Sequence, residues 1–320
     1  MQMKESVICN GKKKGINYME ELMILTSRHM KVYLRDRSAV FFSLLSAIII
    51  IGLMAFFLGD MNIDAILEIT GPFATARDEL EVLANHLVLA WTFAGILSIN
   101  AVSVSISVYS GMIRDRVSGK LNAIYTAPIS RLKITLSYIL AAWAAAVFIC
   151  LLSLGVMEFY GVMQGMEPYS LKEHIQIIAM IIGNSFVYAA MMYALAMIAK
   201  TEGAWGGFGT VIGTLVGFLG GIYLPIGTLS DGIATMMKCT PIIYGTAAFR
   251  EVMTKGILEQ TFMGVPEMIT EEYQKAMGIC LTVGDDTLKM RDEWLILISC
   301  GIIFLLVGIG MLKYSRKADR

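Results

Sequence analysis

Charge is scarce in this chain: Asp, Glu, Lys and Arg make up 16% of 320 residues, where soluble domains carry about 25%. The 26 basic and 26 acidic residues cancel, so no electrostatic footprint for nucleic acid exists. Three histidines and five cysteines (Cys9, Cys150, Cys239, Cys280, Cys300) form no Cys-x-x-Cys pair and no metal-ligand spacing. Neither Gly-x-Ser-x-Gly nor His-Glu-x-x-His occurs. The nearest approach to a phosphate-binding loop, Ser118-Gly119-Lys120-Leu121, lacks its first glycine and its hydroxyl. Residues 1–37 lack the apolar core of a cleavable signal peptide.

Long apolar runs are what the sequence has instead. About 20 apolar residues cross the hydrocarbon of a bilayer as a helix. Six charge-free runs qualify, at 38–59, 87–113, 134–157, 175–199, 203–230 and 294–312. Basic residues crowd before the first run, where there are eight from Lys4 to Arg37. They recur after the second (Arg114, Arg116, Lys120, Arg131, Lys133) and after the sixth (Lys313, Arg316, Lys317, Arg320). The stretch between runs 1 and 2 holds Arg77 among six acids. Under the positive-inside rule both termini are expected in the cytoplasm. Trp91 and Trp294 are then expected at the outer interface and Trp205 at the inner one, with Trp143 packed inside its span.

The rest divides into pieces with distinct patterns. Residues 18–37 place Leu22, Leu25, Met30, Tyr33 and Leu34 at helical spacing among cations, which predicts an amphipathic helix in the cytoplasmic interface; packing on a partner is the other reading. Residues 114–130 predict a short surface helix ending before Pro128, able to key into a groove on a cytoplasmic protein; an ordinary positive-inside loop has the same charges. In the fifth run Gly209, Gly213, Gly217 and Gly221 recur every four residues, a spacing that admits a second helix at close range, from the same chain or another copy. Pro225 and Gly227 then predict a broken helix, as a gate or a simple kink. The acidic segment 231–293 begins with an apolar stretch, 239–249, too short to span and expected to be a re-entrant or interfacial helix. Cys239 and Cys280 fall on the same side, which leaves a disulfide open. Glu158 stands at the end of the third run, either functional or merely solvated.

Three stretches carry a resemblance to a known family: Lys31–Ser43 (KVYLRDRSAVFFS); Asp115–Leu121 (DRVSGKL) running to Ala127–Arg131 (APISR); and Gly220–Gly227 (GGIYLPIG), followed by Pro241 and Arg250. In that order and layout the chain resembles the ABC-2-type transporter permeases of bacterial drug, peptide and polysaccharide exporters. The resemblance implies an all-α, polytopic, single-domain membrane protein with six transmembrane helices. It also implies an N-terminal connecting helix (18–37), a coupling helix (114–130) and re-entrant outer helices within 231–293. The ATPase-docking residues would be Arg114, Asp115, Arg116, Gly119, Lys120, Leu121, Ile124, Pro128 and Arg131. Gly209, Gly213, Gly217 and Gly221 would line the pathway, and Pro225 and Gly227 the outer gate. The chain would be no enzyme and would bind no cofactor, ATP-Mg belonging to a separate ABC ATPase. Its other partners would be a second permease copy, alike or related, and the lipid of the plasma membrane. The long segment 231–293 departs from the family pattern. A gradient-driven transporter, a membrane enzyme using Glu158, His86 or His174, and a scaffold subunit are the rival readings. The lack of ion ligands within the spans and of an inverted repeat counts against the first.

Overall fold

A computed structural model describes residues 18–53, 59–73, 77–121, 129–284 and 286–318. Apolar sequence with few internal prolines folds as helix almost throughout. The helices are α1 (Tyr18–Arg35), α2 (Arg37–Leu53), α3 (Gly59–Thr70), α4 (Arg77–Val117), α5 (Arg131–Met163) and α6 (Leu171–Ala196). They continue with α7 (Glu202–Leu219), α8 (Asp231–Lys238), α9 (Pro241–Thr261), α10 (Glu267–Ala276) and α11 (Met290–Ala318). One two-stranded antiparallel ribbon, β1 (Thr282–Val283) and β2 (Asp286–Thr287), separates α10 from α11. Side-chain caps fix several starts: Ser130 accepts from the Lys133 amide, Thr201 from the Ala204 amide, and Ser170 with Glu173 forms a capping box.

Among the described residues, four helices are long and apolar enough to cross a membrane: α4, α5, α6 and the Met290–Met311 part of α11. The first predicted run appears as α2, 17 residues long; residues 54–58 of that run lie outside those described, and its last residue, Gly59, begins α3. The fifth run forms only α7, whose helix stops at Leu219.

α4 is the axis. At 1.5 Å per residue its 41 residues reach about 60 Å, twice the hydrocarbon thickness, so it projects beyond any bilayer it crosses. Its most apolar window is 94% buried, against 17% for α11. α11 turns Leu295, Ile298, Ile302, Ile303 and Leu306 outward, a face suited to lipid. Its inner face meets α6 at glycines. A side chain at Gly183 would strike the Trp294 ring, one at Gly301 would lie 3.1 Å from Val187, and one at Gly308 would lie 2.6 Å from Tyr193. Small residues thus bring these two helices together.

At the end where the acidic segments gather, α3, the start of α4, α9 and α10 form a second apolar cluster containing Ile66, Leu87, Trp91, Phe262 and Tyr273. The expected short re-entrant stretch at 239–249 is the first half of the 21-residue α9, which runs on past Arg250, Glu251 and Lys255. Its first half is buried against α4, α6 and α11. The helix outlasts its apolar run because Arg250 is satisfied internally.

Candidate functional site

At the basic end, α1 is clasped to the junction of α4 and α5. Lys133 Nζ lies 2.5 Å from Glu21 Oε2, and Arg28 lies 3.6 Å from Asp115. The Tyr138 hydroxyl donates to Asp115 at 3.1 Å, and Tyr33 pairs with Ser43 of α2 at 3.1 Å. His29 stacks on Tyr138 with centroids 3.6 Å apart; its Nε2 is buried without a partner among the described residues. Burial, with the neighbouring Arg28 charge second, pushes the His29 pKa down to about 3, so the ring is neutral. A pocket of about 100 Å³ with a mixed lining lies beside it, bounded by His29, Asp36, Arg114 and Asp115 among others. Leu22, Leu25 and Tyr33, the apolar edge expected to face the membrane interface, are buried on the chain's own helices. The opposite face of α1 leaves Met19, Met23, Ile24 and Val32 exposed beside Lys31 and Arg35.

The expected docking residues separate into three groups. Arg114–Val117 complete the last turn of α4 rather than opening a new helix, because flanking charge does not end a helix. Within that turn Asp115 belongs to the clasp. Arg116 reaches the end of α6, donating to Ala199 O and Met197 Sδ, both at 3.3 Å. The chain then turns at Gly119, whose φ of 74° is open to glycine at little cost. Leu121 is buried, while Arg114 and Lys120 face solvent. Ile124 and Pro128 lie outside the described residues; Arg131 begins α5.

The glycine repeat of α7 does not present one surface. Four residues advance a helix by about 400°, so a four-residue repeat drifts about 40° per step. A side chain at Gly209 would lie 2.9 Å from Ile106 of α4; one at Gly213 would meet open space; one at Gly217 would strike the Tyr223 ring. Gly221 lies beyond the helix. It closes the end of α7 with φ 61°, its amide bonding Phe218 O and the Ile222 amide bonding Gly217 O, both at 2.8 Å. The break therefore comes at Gly220–Gly221, before Pro225. Pro225 leads a single 3-10 turn, and Gly227 passes so close to α10 that a Cβ there would lie 2.6 Å from Ala276 Cα.

Arg250 holds this break in place. Its side chain is wholly buried, with Nη2 donating to Gly221 O at 2.7 Å. Nη1 donates to Met277 O at 3.3 Å and Gly278 O at 3.4 Å. The guanidinium lies 4.0 Å from the centroid of the Trp91 ring, and Trp91 Nε1 also donates to Met277 O, at 2.8 Å. Burial pushes the Arg250 pKa down to about 9, which still leaves the group charged at neutral pH. Trp91 is thus no interfacial anchor. Nor is Trp205, buried on α4 with Nε1 donating to Ile106 O.

Glu158 is paired, not solvated. His174 Nε2 lies 2.9 Å from Oε2 and the Tyr169 amide donates to Oε1 at 3.2 Å. Cys239 and Cys280 are free thiols. Sequence reading also missed a neutral polar set inside the bundle, where Asn100 bonds Ser153 at 2.8 Å and Asn184 bonds Gly245 O at 3.2 Å. Among the described residues no cluster of metal ligands occurs.

Comparison with curated proteins found no match. The profile of the ABC-2 family transporter proteins matches residues 82–312, more than two thirds of the chain, from the start of α4 to the apolar end of α11. A helical, membrane-embedded chain whose match takes in the long α4, the turn at Gly119, the broken α7 and the buried α9 belongs to the ABC-2 family of transporter permeases.

Proposed function

We propose that this chain is the membrane-spanning permease subunit of an ATP-driven exporter, working as a dimer with a separate ABC ATPase that holds ATP-Mg. Permeases of this family work with such an ATPase. In this reading the bilayer is crossed six times, with α2 and α7 as the two further spans, and the basic end faces the cytoplasm of a cell bounded by this membrane. The observation that carries it is the clasp at that end. α1, the end of α4 and the start of α5 are tied through Glu21–Lys133 and Arg28–Asp115, so a protein pushing on this end moves the central helix as a rigid body. Docking falls to the exposed groups, Arg114, Lys120 and the outer face of α1, together with the segment from 122 to 130. Asp115 and Arg116 transmit the push instead. Gly213, with open space above it, is where α7 admits the second copy, and the break held by Arg250 forms the gate.

The test is a pull-down of the tagged chain from its native membrane, with the ATPase activity of the eluate followed. A stoichiometric ATPase whose activity loses its dependence on the permease when Arg114 and Lys120 are changed to Glu supports the reading. Recovery of the permease without any ATPase overturns it.

A further inference from the structure

The geometry points to a binding site for a small organic cation at the acidic end. It lies between the start of α4, the loop joining α5 to α6, and the second half of α9. The cleft measures about 270 Å³, just below the range of roughly 300–1,000 Å³ in which proteins hold drug-sized ligands.

Two carboxylates, Glu167 and Glu173, line it with Tyr169, His86 and Gln260, and no Lys or Arg does. Glu173 is fixed by its capping box, in which Oε2 accepts from both the amide and the hydroxyl of Ser170 at 2.7 Å. Its Oε1 looks across the cleft, 4.0 Å from where a Cβ on Gly256 would stand. The Tyr169 hydroxyl is buried without a hydrogen-bond partner among the described residues. His86 Nε2 donates to Gln164 O at 3.0 Å, which in the neutral ring leaves Nδ1 as an acceptor. Glu158 is matched by His174, whereas Glu173 forms no ion pair among the described residues.

Met253, Ile257, Leu83 and Pro168 give the cleft an apolar side, and that pairing of acid and apolar wall fits an ammonium group on a hydrocarbon frame. Gly256 matters because any larger side chain on that turn of α9 would grow into the space in front of Glu173.

Isothermal titration of the full chain in detergent, with phenethylammonium as the probe and the neutral 2-phenylethanol as its counterpart, tests this. The expected result is saturable binding of the ammonium alone. Glu173→Gln, which keeps the cap, should weaken binding about tenfold, and Gly256→Leu should abolish it. Gly256 is exposed on a helix, so its replacement leaves the fold intact, as an unchanged unfolding temperature would verify. Absence of saturable binding to the wild-type chain, equal binding of the alcohol, or wild-type affinity in both variants would each overturn the assignment.

Discussion

The two ends of the molecule hold their charges in opposite ways. At the basic end, cations meet carboxylates at positions that keep some contact with solvent: Glu21 with Lys133, and Arg28 with Asp115. At the acidic end, one guanidinium is taken wholly out of solvent and given three backbone carbonyls and an indole face, with no carboxylate. Paired surface charges are individually weak and can be remade, whereas a buried cation on fixed carbonyls tolerates no loss of its partners. The difference suits the proposed roles. The end that meets a partner is tied by ion pairs that solvent still reaches, and the end that surrounds the break after α7 is locked by buried hydrogen bonds.

Removing the lock is the change with the largest expected effect. Arg250→Met would leave the carbonyls of Gly221, Met277 and Gly278 without that donor in a buried site. It should cost about 3 kcal/mol, read as a fall in unfolding temperature in detergent. Arg250→Lys should recover only part of the loss, because one ammonium cannot span carbonyls on either side as the planar fork does. A wild-type unfolding temperature in Arg250→Met would dissolve the contrast between the two ends.

The same contrast governs what the sequence could reveal. The runs at 87–113, 134–157, 175–199 and 294–312 are legible because hydrocarbon demands an uncharged stretch of fixed length, and each lies within one long helix. Their helical ends are not legible: α4 runs on to Arg77 and Val117, since charged residues end a membrane crossing without ending a helix. Arg250 gave no warning of its role, because its partners are backbone carbonyls, which any sequence has. Trp91 misled for the same reason, an interfacial tryptophan and one stacked under a distant arginine being alike in sequence. The apolar edge of α1 was readable, but what it packs against was not.

The clasp contains one buried element of its own, and pH isolates it. His29 is neutral in the folded chain with a pKa of about 3, against 6.5 when unfolded. Below pH 6.5 the unfolded chain therefore binds a proton that the folded chain refuses, so stability is full above that value and declines toward pH 3. Between pH 7 and pH 5 the loss should be about 2 kcal/mol, seen as earlier proteolysis of α1. His29→Phe keeps a ring on Tyr138 and should flatten that profile. An unchanged pH dependence in this variant would show that His29 is not the group responsible.

The smallest effect separates the ends most sharply. A double-mutant cycle on Glu21→Ala and Lys133→Ala should return a coupling of about 0.5–1 kcal/mol, because both side chains keep some solvent and salt screens their attraction. Lys133 Nζ also lies 4.2 Å from the centroid of the Tyr18 ring, so the Lys133 single variant should cost more than the Glu21 one. The coupling should shrink when salt is raised from 0.05 M to 0.5 M, while the unfolding temperature deficit of Arg250→Met stays put. A clasp energy above about 2 kcal/mol that ignored salt would mean that α1 is locked as firmly as the break after α7. The two ends would then differ in what they bury but not in how firmly they hold.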